Sequence, residues 1–168
     1  VELFYKALKI DSTAAPILFN LSIALENLES PAEALTFVNR AIRIDSTFAN
    51  FHLQKGNIFM KLGEIELARQ SFAKAIALEP SFALVYNNLG NTFLESNAAE
   101  EARSAYEKAL DLYPDFFESR FFSAADEMDK GFGYLLGACI DAAHWSSEFA
   151  MIYSNLGKAK LMMGKLDE

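Results

Sequence analysis

Apolar residues recur along this chain at intervals of three and four, in runs of about a dozen residues separated by polar turns. In one run, Tyr86, Leu89 and Phe93 share one face of a helix, and in the next run Ala102 and Tyr106 begin the apolar face of a second helix. Three or four residues is the helical period, whereas a half-buried strand would alternate at every second residue. The pattern therefore predicts pairs of amphipathic helices.

This helix pair is one copy of a repeating unit. Ala109 recurs as Ala75, Ala41 and Ala7, each 34 residues earlier in the chain. A fixed interval of this length predicts a stack of helix pairs instead of a domain with one central core. Other positions recur at the same interval: Tyr106, Phe72, Val38 and Phe4; Gly90 and Gly56; Ala102, Ala68 and Ala34.

The repeating unit resembles the tetratricopeptide repeat. The resemblance rests on an ordered set of aromatic, small and proline positions: Tyr86, Leu89, Gly90, Phe93, Ala102, Tyr106, Ala109 and Pro114. It implies an all-α fold, a right-handed superhelical α-solenoid of stacked antiparallel helix pairs. We expect one array over residues 1–168, with a partial repeat at 1–14, repeats at 15–48, 49–82 and 83–116, a degenerate repeat at 117–149 and a partial repeat at 150–168.

Local signals indicate where the second helix of a unit begins. Ser30, Pro31 and Glu33 supply the N-cap, the first-turn proline and the reciprocal glutamate of a capping box. In a later unit, Asn97 is expected to be the N-cap, with Glu100 in a first turn where the helix dipole favours negative charge. Gly90 and Ala102 are expected at the crossing of two helices, where a larger side chain would push the pair apart.

The first and last stretches of the chain each match only half of a unit. Phe4 and Leu8 lie on the apolar face of the first stretch, and Tyr153, Leu156 and Leu161 lie on that of the last. Without a neighbouring helix, these side chains would leave apolar area uncovered. The sequence therefore predicts apolar ends through which copies of the chain could self-associate.

Charge and hydropathy narrow the classes of partner. The chain carries 23 acidic and 15 basic side chains, which gives a formal net charge of −8. A nucleic-acid-binding surface normally presents clustered lysine and arginine, so no nucleic-acid partner is expected. No apolar run reaches the roughly twenty residues that a bilayer crossing needs. The composition therefore predicts a water-soluble protein without membrane insertion; the sequence does not determine its compartment, although the cytoplasm is favoured.

No arrangement of side chains predicts catalysis. His52 and His144 lie in no metal-binding spacing, and phosphate-binding glycine patterns are absent. Cys139, Asp141 and His144 are close enough in sequence to raise a cysteine–histidine pair as an alternative. Cys139 stands where other units carry an aromatic residue, however, so we interpret it as a small buried apolar side chain. We expect neither enzymatic activity nor a metal or cofactor.

The family resemblance assigns function to the concave face formed by the first helix of each repeat. In tetratricopeptide proteins, this groove typically holds a peptide or a helix of a partner. The repeat register predicts that the groove contains Phe19, Asn20, Ile23, Asn27, Leu53, Gln54, Asn57, Lys61, Asn87, Asn88, Asn91, Glu95, Phe122, Ser123, Asp126, Ser154, Asn155 and Lys158.

Two comparisons within the family bear on the ligand. Co-chaperone members hold acidic chaperone tails with a lysine clamp, but Phe19, Leu53 and Asn87 stand where that clamp begins, so that ligand is not expected. The column Asn20, Gln54, Asn88 and Asn155 is similar to the asparagine ladder in the repeat arm of O-linked N-acetylglucosamine transferases, which holds a peptide backbone. These amides could instead bridge adjacent repeats.

The sequence thus predicts a protein–protein interaction module that binds an extended peptide or helix. The negative net charge favours a partner segment with basic and hydrophobic residues. Two alternatives stay open. The chain could be the substrate-recruiting arm of a larger enzyme such as a glycosyltransferase, or a self-associating structural scaffold.

Overall fold

The computed structural model describes residues 1–112 and 147–164, which form helices joined by short loops without any strand. The predicted all-α fold is confirmed, and the predictions for residues 117–146 lie outside the described residues. The helices are α1 (Glu2–Ile10), α2 (Ala15–Asn27), α3 (Pro31–Ile44), α4 (Ala49–Lys61), α5 (Ile65–Leu78), α6 (Ala83–Glu95), α7 (Ala99–Asp111) and α8 (Ser147–Gly164).

The chain forms two compact units, Val1–Asn88 and Leu89–Glu168. In the first unit, α2 packs on α3, α4 packs on α5, and α3 joins the two pairs by packing on α4. The loops within each pair are too short for a crossover, so the paired helices are antiparallel. In the second unit, α7 packs on α8. None of the described helices combines the length and the apolar character that a bilayer crossing requires.

Small residues allow the helices of each pair to approach closely. Gly56 on α4 faces the ring of Phe72 on α5, and a Cβ at position 56 would overlap that ring. In the second unit, a Cβ at Gly90 would lie only 2.5 Å from Cε1 of Tyr106. The repeated alanines are fully buried in the same way: Ala34, Ala41, Ala68, Ala75, Ala102 and Ala109.

The turn between the two helices of a pair has the same backbone conformation in successive repeats. Glu29, Gly63 and Asn97 are 34 residues apart and adopt the left-handed backbone conformation, with φ of 57°, 74° and 57°. The prediction that Asn97 is an N-cap is therefore wrong, because Ala98 is the N-cap residue of α7. Asparagine suits this turn because it tolerates the left-handed region better than most residues.

The predicted capping box at the start of α3 is only partly formed. Ser30 is the N-cap residue and Pro31 opens the helix, but the Ser30 side chain makes no capping hydrogen bond. The carboxylate of Glu33 instead accepts a hydrogen bond of 2.5 Å from the hydroxyl of Tyr5 on α1. The Glu33 carboxylate therefore links α3 to α1 instead of capping α3.

The left-handed turn predicts opposite effects for two matched substitutions. Glu29→Gly is expected to raise the free energy of unfolding by about 0.5–1 kcal/mol, because glycine relieves the strain of a positive φ and loses only part of that gain as chain entropy. Gly63→Ala is expected to lower it by a similar amount, since no atom lies within 4 Å of the added Cβ and only the backbone conformation is penalised. Urea unfolding measures both, and a destabilised Glu29→Gly variant would contradict this account of the turn.

Of the apolar side chains predicted to be uncovered at the two ends of the chain, Leu161 is 46% exposed, but others are covered. Leu8 is only 8% exposed, and Leu156 is buried as well. Phe4 is partly buried and packs against the core of the first unit. The most exposed apolar side chains of α1 are instead Leu3 and Ile10, at 79% and 91%. Self-association through these ends stays a prediction.

Candidate peptide-binding groove

The groove residues predicted for the first unit lie on α2, α4 and the start of α6, up to Asn88. One of them, Phe19 on α2, belongs to an aromatic cluster whose other members the repeat register does not assign to the groove: its ring lies 5.2 Å from that of Phe51 on α4. The Phe51 ring is in turn 4.8 Å from Phe48, in an edge-to-face arrangement. Phe51 is buried, whereas Phe48 is 47% exposed. The cluster thus presents a rigid apolar edge to solvent.

A carboxylate joins α2 to α4 beside these rings. Oε2 of Glu26 accepts a hydrogen bond of 2.6 Å from Nε2 of Gln54. The ammonium of Lys61 lies 3.3 Å from Oε1 of Glu26 and donates to its backbone carbonyl at 3.0 Å. Glu26 is not recognisable from the repeat pattern, because Met60 and Leu94 occupy the equivalent positions. Its charge fixes Gln54 and Lys61 within the protein.

A second set of hydrogen bonds joins α4 to the start of α6. Nδ2 of Asn88 donates to Oδ1 of Asn57 at 2.8 Å, and Oδ1 of Asn88 accepts from Nδ2 of Asn87 at 3.0 Å. Asn87 is fully buried, whereas Asn57 and Asn88 are partly exposed. Among the described residues, Nδ2 of Asn57 has no partner and Asn20 makes no hydrogen bond. These two side chains therefore retain donors for another molecule.

Burial sorts the predicted groove residues of the first unit into two groups. Leu53 is 6% exposed and, together with Gln54 and Asn87, belongs to the packing between helices. The others are at least partly accessible from solvent: Phe19, Asn20, Ile23, Asn27, Asn57, Lys61 and Asn88.

The described part of the second unit contains five further predicted groove residues. Asn91 accepts a hydrogen bond of 2.7 Å from the hydroxyl of Tyr106, whose pKa is raised by burial, so that this hydroxyl stays a donor. Asn155 is buried, and its Oδ1 is 3.4 Å from the ammonium of Lys158. Glu95 and Lys158 are exposed, and Ser154 is partly exposed. The remaining predictions, Phe122, Ser123 and Asp126, lie outside the described residues.

The described residues 1–112 and 147–164 contain no group of three or more histidine, cysteine, aspartate or glutamate side chains that could hold a metal ion. The Cys139, Asp141 and His144 alternative falls outside these ranges.

These features define an all-α protein of stacked helix pairs. Models of the TPR repeat and the tetratricopeptide repeat match residues 15–48, 56–97 and 83–116. The chain belongs to the tetratricopeptide repeat family. It is accordingly a protein-interaction module.

Solved structures of low sequence identity share this fold. A crystal structure of MamA is 20% identical with a TM-score of 0.62, over 98% of this chain and 86% of that one. The Sgt2 TPR domain from Aspergillus fumigatus is 14% identical with a TM-score of 0.67, over 91% and 81% of the two chains. The first TPR of Spaghetti (RPAP3), bound to the HSP90 peptide SRMEEVD, is 23% identical with a TM-score of 0.59, over 71% and 91%. No curated protein sequence matches the chain.

Proposed function

We propose that this protein binds an extended segment of a partner protein along the groove of the first unit, formed by α2, α4 and the start of α6. The observation that carries the proposal is the pair of uncommitted amides, Asn20 on α2 and Asn57 on α4. Phe19, which precedes Asn20 in the chain, adds an aromatic ring to the same helix. The similar RPAP3 structure holds a peptide, which supports peptide binding by this fold.

Side-chain amides suit a ligand in extended conformation. An extended backbone presents carbonyl and N–H groups at regular intervals, and each amide can donate to one and accept from the other. Asn20 offers both functions, while Asn57 offers its Nδ2 because its Oδ1 already accepts from Asn88. Such bonds position a backbone without reading its sequence.

Selectivity must therefore come from the apolar and charged surroundings. The edge of Phe48 accommodates an aliphatic or aromatic side chain of the ligand. Lys61 is neutralised by Glu26 and contributes little attraction for an acidic ligand. The net charge of −8 favours a ligand with lysine or arginine. The preferred segment is thus basic and hydrophobic.

Replacing the groove asparagines tests the proposal. Fluorescein-labelled decapeptides that combine Lys and Arg with Leu and Phe serve as probes, measured by fluorescence anisotropy. Asn20→Ala is expected to weaken the best peptide about fivefold, or about 1 kcal/mol, without changing the melting temperature. Asn88→Ala is expected to weaken it similarly, because Asn88 holds Oδ1 of Asn57 and so orients the free Nδ2 of that amide, and to lower the melting temperature only slightly through the lost hydrogen bonds to Asn57 and Asn87. Asn39→Ala on α3, outside the groove, is the matched control and is expected to change neither.

The opposite result would assign these amides a structural role. If Asn88→Ala lowers the melting temperature substantially and neither Asn88→Ala nor Asn20→Ala changes affinity, the amide column only bridges repeats. The proposal of a groove that holds a peptide backbone would then be abandoned.

A further inference from the structure

A second surface lies on the opposite side of α4 from the groove. His52, Lys55 and Phe59 follow one another at i, i+3 and i+7 and so form one stripe of the helix. At about 100° per residue, this stripe lies about half a turn from Asn57 and Lys61. Nε2 of His52 is 3.1 Å from the carbonyl oxygen of Ser46, which fixes the buried ring at the base of the stripe.

A stripe of α5 faces these residues across a cleft. Leu67, Gln70, Ser71 and Lys74 are spaced at i, i+3, i+4 and i+7, which places them on one side of the helix. The two stripes together line a cleft of about 250 Å³. Its volume is below that of a typical drug-sized pocket and suits one or two side chains of a larger ligand.

The cleft is basic in a protein that is acidic. Lys55 and Lys74 lie on its two walls, and no aspartate or glutamate lines it. Neither lysine forms an ion pair with a carboxylate in the described parts of the chain, where the ion pairs involve other basic residues. Nζ of Lys55 is 5.7 Å from the centroid of the Phe59 ring, so its charge is held beside an apolar wall.

We propose that this cleft is a docking site for an acidic segment of a partner protein. A carboxylate of the segment binds the ammonium groups of Lys55 and Lys74, and an adjacent apolar side chain packs on Phe59 and the exposed part of Leu67. Charge complementarity carries the choice, since two unpaired cations in a chain of net charge −8 attract anions locally. A nucleic acid, which carries a dense array of phosphates, would be repelled by the rest of the surface.

The proposal gives α4 two binding faces of opposite preference. The groove favours a basic segment, and the cleft favours an acidic one. The two sites use different residues, so the cleft can be correct even if the proposed groove function is wrong. A protein with both would hold two partners, or two parts of one partner, on the same helix pair.

Charge reversal in the cleft tests the proposal. The probe is a fluorescein-labelled peptide of alternating Glu and Phe residues, titrated at low ionic strength. K55E/K74E is expected to weaken binding at least about tenfold, and K55Q/K74Q is expected to weaken it by a smaller factor. Lys108→Glu, which reverses an exposed lysine on α7, is the matched control and is expected to bind as the unsubstituted protein does. Affinity is also expected to fall as salt rises.

Three further measurements distinguish docking at this cleft from misfolding, from binding in the groove and from binding of a small anion. Circular dichroism confirms that each variant is folded, and K55Q/K74Q gives the test should charge reversal prevent folding. Asn20→Ala is expected to leave binding of the acidic peptide unchanged, because it alters only the groove. Titration with inorganic phosphate is expected to show no lysine-dependent binding. No binding of the acidic peptide, equal binding by K55Q/K74Q, or Lys-dependent binding of phosphate alone would each overturn the proposal.

Discussion

Replacing Phe72 with alanine is expected to lower the free energy of unfolding by about 3–5 kcal/mol, the usual cost of truncating a large buried aromatic side chain. Phe72 is fully buried on α5 and fills the space against Gly56 on α4. The substitution removes the apolar contacts between the two helices and leaves a cavity that a glycine cannot fill. A loss of this size is comparable to the total stability of many small domains.

Phe48→Ala is the matched control for this prediction. Phe48 is also a phenylalanine of the first unit, but about half of its surface is exposed, so its truncation is expected to cost much less than that of Phe72. Urea unfolding followed by circular dichroism measures both variants. Equal losses for Phe72→Ala and Phe48→Ala would show that the α4–α5 pair does not depend on the buried ring.

Gly90→Ala is expected to lower the free energy of unfolding by about 1–3 kcal/mol, the range for overpacking a tight core. Alanine usually stabilises a helix interior by about 1 kcal/mol relative to glycine, so the predicted sign is the reverse of the ordinary one. The reason is steric, because the added Cβ would lie 2.5 Å from Cε1 and 2.8 Å from Cδ1 of the fully buried Tyr106. The ring cannot move without disturbing its hydrogen bond to Asn91.

Two further variants test whether the Tyr106 ring causes the loss of stability expected for Gly90→Ala. Gly164→Ala adds a Cβ with no atom within 4 Å and is expected to be neutral or slightly stabilising. In a Tyr106→Leu background, Gly90→Ala is expected to cost less than it does alone, because the obstructing ring is gone. Differential scanning calorimetry measures the set. A stabilised Gly90→Ala variant, or the same cost in both backgrounds, would contradict the proposed close contact.

The fold is predictable because the repeat fixes both helix starts and core positions. The helices α2, α4 and α6 begin at Ala15, Ala49 and Ala83, at the interval that the recurring alanines indicate. The buried alanines and the glycine–aromatic contacts follow from the same register, since small residues recur where helices cross. Local propensity and the repeat interval agree at these positions, so the sequence alone is informative.

The details that the sequence does not predict depend on residues distant along the chain. Glu33 bonds to Tyr5 instead of capping its own helix, and Glu26 binds Gln54 across two helices. No local pattern specifies such partners. Asparagine favours both N-caps and left-handed turns, and only the backbone angle at Asn97 separates the two roles. The basic cleft joins stripes from two helices, which becomes visible only after they pack.

The most direct test of peptide binding in the groove is a nuclear magnetic resonance titration of the isotope-labelled protein with the basic and hydrophobic decapeptide. The side-chain amide signals of Asn20 and Asn57 are expected to shift together and to saturate with the peptide, while the Asn39 signal stays unchanged. Shifts confined to residues around Lys55 and Lys74, or an absence of shifts at Asn20 and Asn57 under saturating peptide, would contradict the assignment of the groove as the binding site.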